Sequence, residues 1–355
     1  MGMGQSMKRA VGLLCSGAAV LAASLVSPSA KAQSDVVLAC FGGSVQQTYE
    51  RYIIPSFEKK TGLRVRYIAG ISTHFVAQLQ AQQAKPEYDL VCMDDGPQSI
   101  AAARGVLEPI TTAAVPNFAD TIPGARGAGN SGVGYGLLAM GLVYSPAALK
   151  KANVEPPKGW NDLADRRFKG LIGMPSIGTT PGLFALLMLA QSNGGGVDNI
   201  DPGFAKLKAA APNIAEFSAS SEMSKQLQQG DIAVSVWTNS ETARFIKRTS
   251  FPLEFVYPVE GSPIVMPMLN LVKNSPNPKG GAALMDHILS EDIQMVLVRE
   301  SRVGPVNAKV KLPPELAEGI TYGDAAISKL VKPDWAVINK HRAAWTDRWN
   351  REIER

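Results

Sequence analysis

From Val36 onward the chain alternates two patterns: short β-branched apolar runs, and longer stretches with an apolar residue every three or four positions. Residues 36–40 predict a first strand. Residues 46–60 predict a helix, with Tyr49, Ile53 and Phe57 on one face and Gly62 just past its end. A strand at 63–68, a helix at 73–83, a strand at 90–93 and a helix at 97–105 follow. This βαβαβ order predicts a parallel sheet covered by helices. Residues 106–109 predict a short strand or turn. Residues 111–134, rich in Gly and Pro, predict a surface loop; Gly127-x-Gly129-x-x-Gly132 lies inside it. No strand precedes that triplet and no apolar helix follows, so it lacks the context of a dinucleotide-binding turn. A strand-like run at 135–144 opens a second series: strands at 171–174 and 232–236, with helices at 146–151, 181–191, 202–210 and 220–229. Strand-like runs at 251–257 and 264–272 come next, the second returning to the first domain. Paired helices at 281–289 and 291–300 and a helical tail at 324–353 complete the chain.

Four strand ends carry residues suited to holding a ligand. The first ends on Gly42-Gly43-Ser44, another on Asp94-Asp95, a third before Thr179-Thr180, and the last on Trp237-Thr238-Asn239. In open α/β sheets the carboxyl edge is where loops and helix N-termini converge on a ligand. Trp237 stands where a strand gives way to a helix, with Asn239 or Ser240 as N-cap. That position favours presenting its face to an organic cation over packing in the core. Asp94 and Asp95 are adjacent and so point apart; one is free to face an amine while the other caps the following helix. Gly43-Ser44 and Thr179-Thr180 suit an acid group or simple capping. Glu241, in a first helical turn, is read as a partner of the helix dipole.

The 355 residues are 45% hydrophobic and 19% charged, enough for two domains. Residues 1–32 read as a cleavable secretory leader: Lys8-Arg9, an apolar run over 10–26, and Ala30-Lys31-Ala32 as the small-x-small cleavage site. The run is too short for a membrane span. Removing it lowers the formal charge from +5 to +2, with 33 basic against 31 acidic residues, which gives no argument for a nucleic-acid or membrane partner. Cys40 and Cys92 both fall within predicted strands and read as buried small hydrophobes, with a disulfide as the alternative in an oxidising compartment. His74, His287 and His341 are scattered. No metal or cofactor site and no nucleophile elbow is legible.

An ordered set of stretches carries a wider likeness: GGSVQQTYERYIIPSFEKKTGLRV, YDLVCMDDGPQSIAAARGVLEP, PKGWNDLADRRFKGLIGMPS, GDIAVSVWTNSETARF, FVYPVEGS and GPVNAKVKLPPEL. From Val36 to the C-terminus the chain resembles the periplasmic solute-binding proteins of ABC importers, in their spermidine/putrescine-binding group. The resemblance implies a two-lobed α/β fold of the type II class with a two-strand hinge. Lobe one would take 33–138 and 264–305, and lobe two 139–263 and 306–355. It implies a monomer that captures a small solute in the periplasm and delivers it to a membrane permease and its ATPase, without catalysis. Carried over by position, it places ligand contacts at Gly43, Ser44, Asp94, Asp95, Trp237 and Asn239, and more loosely at Tyr135, Thr180 and Met266. Two departures stand out. The Asp expected after the EG turn falls on Pro267, and the aromatic expected before the crossing strand falls on Gly136. A polyamine needs a carboxylate at each end, because an unpaired buried ammonium is costly. An amino acid-like or opine-like solute with a single amine therefore fits as well as a polyamine. Iron-binding relatives use paired tyrosines late in the chain, and no such pair is legible near the cleft. The rival readings are a secreted enzyme on the same scaffold and a binder of an anionic solute or iron.

Overall fold

The computed structural model describes residues 35–218, 220–328 and 330–354; the leader read at 1–32 lies outside them. Its strands run β1 (Val36–Phe41), β2 (Val65–Gly70), β3 (Leu90–Asp94), β4 (Leu107–Glu108), β5 (Val133–Gly134), β6 (Leu138–Tyr144), β7 (Ile172–Pro175), β8 (Ile214–Ser218), β9 (Val234–Thr238), β10 (Glu254–Val256), β11 (Ser262–Val265), β12 (Pro267–Val272) and β13 (Leu330–Val331). They form two sheets. The first is ordered β2-β1-β3-β12-β4, with β5 also on β12; the second is β13-β11-β6-β9-β7-β8, with β10 also on β6. β1 runs parallel to β2 and β3, as the βαβαβ pattern predicts, and β12 returns antiparallel to β3. β8 has no counterpart in the sequence reading. Its exposed Ala215 and Glu216 give it too little apolar signal.

The chain passes between the sheets where β5 leads to β6 and where β11 leads to β12. The run read as one strand at 264–272 is two strands in different sheets, joined at Met266. Near the first crossing Leu137 pairs with Gly304. Thr121 pairs with Asn307, and Lys309 bridges to Asp120 at 2.7 Å. Cys40 and Cys92 continue the β1–β3 register and are disulfide-bonded, so they are not free thiols serving as core hydrophobes.

The Trp335–Glu352 helix touches both halves. Its first turns lie on the Asp95–Ala103 helix, where Asn339 Nδ2 donates to Gly96 O (3.2 Å) and Ser99 Oγ (2.7 Å). Its last turns rest on the second sheet's side. Trp349 packs edge-on to Phe217, and Ser176 Oγ donates to Glu354 just beyond the helix. Among the described residues no helix is long and apolar enough to cross a membrane.

Candidate ligand-binding site

Asp94 ends β3, the strand at the middle of the first sheet. Its backbone N–H donates to Ser72 Oγ (3.0 Å), and its Oδ2 accepts from Thr180 Oγ1 (3.4 Å). Thr180 opens the Thr180–Gln191 helix, which follows β7 of the second sheet, so this hydrogen bond joins the two halves. Burial pushes the Asp94 carboxyl up to about 6; Thr180, the Arg342 guanidinium and Ser72 act against it.

Asp94 borders a cavity of about 390 Å³ between the sheets, with Tyr49, Tyr135, Thr180, Arg244 and Arg342 among its walls. Tyr135 stands edge-on to Tyr49, ring centroids 6.2 Å apart. Burial raises the Tyr135 phenol well above its ordinary value. Asp94 raises it further, while Arg244 lowers it, so the ring lies within reach of both charges. Two tyrosines therefore do meet in the cleft, one of them from the first helical segment rather than late in the chain. Among the described residues no group of three or more His, Cys, Asp or Glu side chains could hold a metal ion.

Arg244 projects from the Asn239–Thr249 helix. Its Nη1 donates to Ser240 Oγ (2.7 Å) and Ser301 O (3.3 Å), while its buried Nε has no partner. Glu241, one turn earlier, borders the same cavity; burial raises its carboxyl against the pull of Arg244 and Arg248. It is a wall of the site as well as a first-turn acid. Arg342 comes from the C-terminal helix, and its Nη2 donates to Gly178 O (3.3 Å).

A side compartment of about 710 Å³ shares Phe41, Val45, Ile71, Glu241 and Arg244 with the first. Gly43 and Ser44 border it. Gly43 has φ +68°, a left-handed conformation that favours glycine at the mouth of the Ser44–Thr48 helix.

The predicted residues thus divide. Asp94, Tyr135 and Thr180 gather on the main cavity; Gly43, Ser44 and Trp237 border the side compartment. Trp237 is not a cleft face at a strand end. β9 runs two residues further than the apolar run suggests, and pleating turns Trp237 to the sheet face opposite Val236. There it is 1% exposed, edge-on to Phe245 and packed with Met223, Leu227 and Leu253; its buried Nε1 has no partner. Thr238, the next residue, faces the main cavity and is the actual N-cap, accepting from Glu241 N at 3.0 Å.

Asn239 is not a cleft residue. It is 4% exposed, its Oδ1 accepts from Ala139 N (3.0 Å), and its Nδ2 donates to Gly319 O (2.9 Å) and Tyr257 Oη (3.2 Å). Asp95 and Met266 lie on a different cavity of about 570 Å³, with Trp335 and Met268 among its walls. Asp95 is the first residue of the Asp95–Ala103 helix, and the turn from strand to helix points it away from Asp94, whose side chain makes no capping bond. Asp95 is 6% exposed with Oδ1 unpaired, and burial pushes its carboxyl up to about 7.

Arg244 and Arg342 were missed. Arg244 lies one turn after Glu241 on the Asn239–Thr249 helix, a spacing that puts both on one helix face. Arg342 had no local signal, because only the docking of the C-terminal helix brings it in. Both sequence departures are structural: Pro267 lines the main cavity, and the space a side chain at Gly136 would need is filled by Val303.

Residues 53–322 match the family described as bacterial extracellular solute-binding protein. The chain belongs to this family. It is 24% identical over 308 residues to a Salmonella typhimurium protein whose name marks it as a candidate 2-aminoethylphosphonate-binding periplasmic protein, covering 84% of this chain and 86% of that one. It is 23% identical over 287 residues to the spermidine/putrescine-binding periplasmic protein of Escherichia coli K12, covering 78% and 81%. In fold it is similar to the periplasmic binding protein MotA of A. tumefaciens B6, solved in complex with glucopine. That likeness has a TM-score of 0.75 at 16% identity and covers 90% of this chain and all of that one. The protein is an extracellular solute-binding protein with an α/β fold built on two sheets.

Proposed function

We propose that the solute is a zwitterion with one amine and one acid group, held between two lobes and released unaltered to a membrane permease and its ATPase. One observation carries this reading: Asp94 and Arg244, opposite in charge, border one 390 Å³ cavity, with Tyr135 sensing both. The amine takes Asp94, where an ammonium would offset the burial that raises this carboxyl against Thr180 and Arg342. The acid group takes Arg244, whose buried Nε is a donor without an acceptor. A polyamine would meet Arg244 and Arg342, and the second acid on the cavity, Glu241, already feels Arg244 and Arg248, while Pro267 stands where the expected Asp belongs. The relative named for 2-aminoethylphosphonate, a compound with one amine and one acid, points the same way; an opine-like solute shares both groups.

The lobes are assigned as 33–138 with 264–305 and 139–263 with 306–355. The mature protein acts as a monomer in the periplasm after loss of its leader.

Thermal shift against 2-aminoethylphosphonate, amino acids, putrescine and spermidine tests the reading. Zwitterions should raise Tm in a saturable manner and be recovered unchanged. Stabilisation by polyamines alone, or recovery of altered compound, would refute it.

A further inference from the structure

The side compartment is larger than the cavity that holds Asp94, and the two meet at Glu241 and Arg244. A compact aminoalkyl acid fills only the first. The walls of the second combine apolar and aromatic surface (Phe41, Ile71, Phe245) with donors. The Trp237 indole N–H is fully buried and has no partner, and Arg248 adds a second guanidinium beside Arg244. Glu241 is the sole acid among these walls, and it already feels both arginines. A second cationic end is therefore disfavoured here, whereas acceptor oxygens suit the unpartnered Trp237 N–H and Arg244 Nε and the Arg248 guanidinium.

We propose that this compartment is a second subsite for an extension of the solute that bears acceptor oxygens, as hydroxyl or acid groups. The proposal rests on the zwitterion reading, because Arg244 marks where head and extension join. The solute is then a two-part molecule: an amine-bearing head between Asp94 and Arg244, and an oxygenated tail reaching past Ile71 toward Ser44 and Arg248. Ile71, 59% exposed, borders both compartments.

Calorimetry on the full mature protein tests this with four probes: 2-aminoethylphosphonate, an N-polyhydroxyalkyl amino acid, an N-carboxyalkyl amino acid and spermidine. At least one of the two extended oxygenated probes should bind tenfold or more tightly than the short zwitterion. Ser44→Leu, which fills the compartment from its rim, should abolish that advantage while changing the affinity for 2-aminoethylphosphonate less than twofold. Trp237→Phe removes the indole donor and should act the same way on whichever extended probe binds better. Because Trp237 is a core residue, Ser44→Leu and Arg248→Gln keep the test decisive if that variant fails to fold. Arg248→Gln separates the two chemistries: a selective loss for the N-carboxyalkyl probe assigns the tail an acid, and equal small losses assign it hydroxyls. Extended probes that bind no better than the short one, or a Ser44→Leu variant that weakens all probes alike, overturn the subsite. Failure of the zwitterion reading looks different: Arg244→Gln would then leave every acid-bearing probe unaffected, whatever the rim variants do.

Discussion

Gly96→Ala isolates the contact by which the C-terminal helix joins the two halves. Gly96 lies in the first turn of the Asp95–Ala103 helix, two residues after Asp94. A Cβ added there would stand 2.6 Å from Trp335 Cζ3, 2.7 Å from Cε3 and 2.9 Å from Cη2, closer than side-chain carbons pack. The ring cannot simply tilt away, because it also packs on Phe184 with centroids 5.7 Å apart, and Asn339 one turn on is bonded to Gly96 O and Ser99 Oγ. Overpacking of this kind costs about 1–3 kcal/mol. The same substitution helps the helix it sits in by about 1 kcal/mol, since Ala is a better helix former than Gly. The two effects fall on different states. Hinge opening draws the first sheet and its helices away from the second, to which the last turns of the Trp335–Glu352 helix are fixed through Trp349 and Phe217. If the two proposed lobes part at this contact, the penalty applies to the closed arrangement alone and the helix gain to both. Affinity should fall by about 5- to 150-fold, the equivalent of 1–3 kcal/mol. The Tm of the ligand-free protein should hold or rise. Calorimetry for affinity and a thermal melt without ligand measure the pair. Adding Trp335→Ala should relieve part of the loss, a coupling that a double-mutant cycle reads directly. Unchanged affinity in Gly96→Ala, or an equal fall in ligand-free stability, refutes the reasoning.

The remaining predictions concern charge and the disulfide. Asp94 must be ionised to hold an ammonium, so affinity for amine-bearing solutes should fall about tenfold per pH unit below about 6; a flat profile from pH 7 to 4.5 would remove Asp94 from the amine site. The ligand-free fold should respond with the opposite sign. Asp94 and Asp95 bind protons more tightly when folded than when unfolded, so their contribution to stability grows as pH falls from about 7 toward 4 and is lost as it rises. Urea midpoints across that range, compared with Asp95→Asn, measure it. Arg244→Gln should weaken acid-bearing solutes at least tenfold and leave a simple amine within threefold; equal losses would make Arg244 a packing residue. Joint Cys40→Ala and Cys92→Ala substitution should lower unfolding stability by up to about 4 kcal/mol, from the 52-residue separation that the bond closes. Ligand affinity in that variant should stay within threefold, measured beside urea melts of both proteins.

The fold was legible because its elements announce themselves locally. Val36–Phe41 and Leu90–Asp94 are continuous apolar runs ending in turn residues, the pattern of buried parallel strands, and their order implies the sheet. The Gly-rich stretch around Gly127 is a loop of short turns, as its missing strand and helix required. The site was legible only where one strand end decides a side chain's direction. β3 places an aspartate at the cleft, and adjacency requires Asp94 and Asp95 to point apart, but which of the two faces the cleft is fixed only by the neighbouring elements. Trp237 shows the limit: ending β9 two residues early takes Trp237 out of the pleat that turns it into the core, and no local signal marks the end because Trp and Thr are themselves good strand formers. Asn239 shows another, since its partners Ala139, Tyr257 and Gly319 come from distant parts of the chain.

Arg342 illustrates the deepest reason. It enters the cavity on a helix whose first turns grip the Asp95–Ala103 helix and whose last turns lie on the second sheet's side, so its position exists only once both halves are in place. A residue supplied in that way does more than add a charge. Arg342 reaches the neighbourhood of Asp94 in the same arrangement that brings Thr180 to its carboxylate. On the proposed two-lobed reading, closure completes the electrostatic environment of Asp94. A ligand that exploits Arg342 together with Asp94 gains differential affinity for the closed state, which is the quantity a hinge needs if binding is to shift its equilibrium. A solute that touches Asp94 alone can bind without driving closure. The two arginines on this cavity thus favour a zwitterion on grounds of mechanism as well as charge balance, because only a molecule with both signs can engage Asp94 and a guanidinium from the opposite half at once.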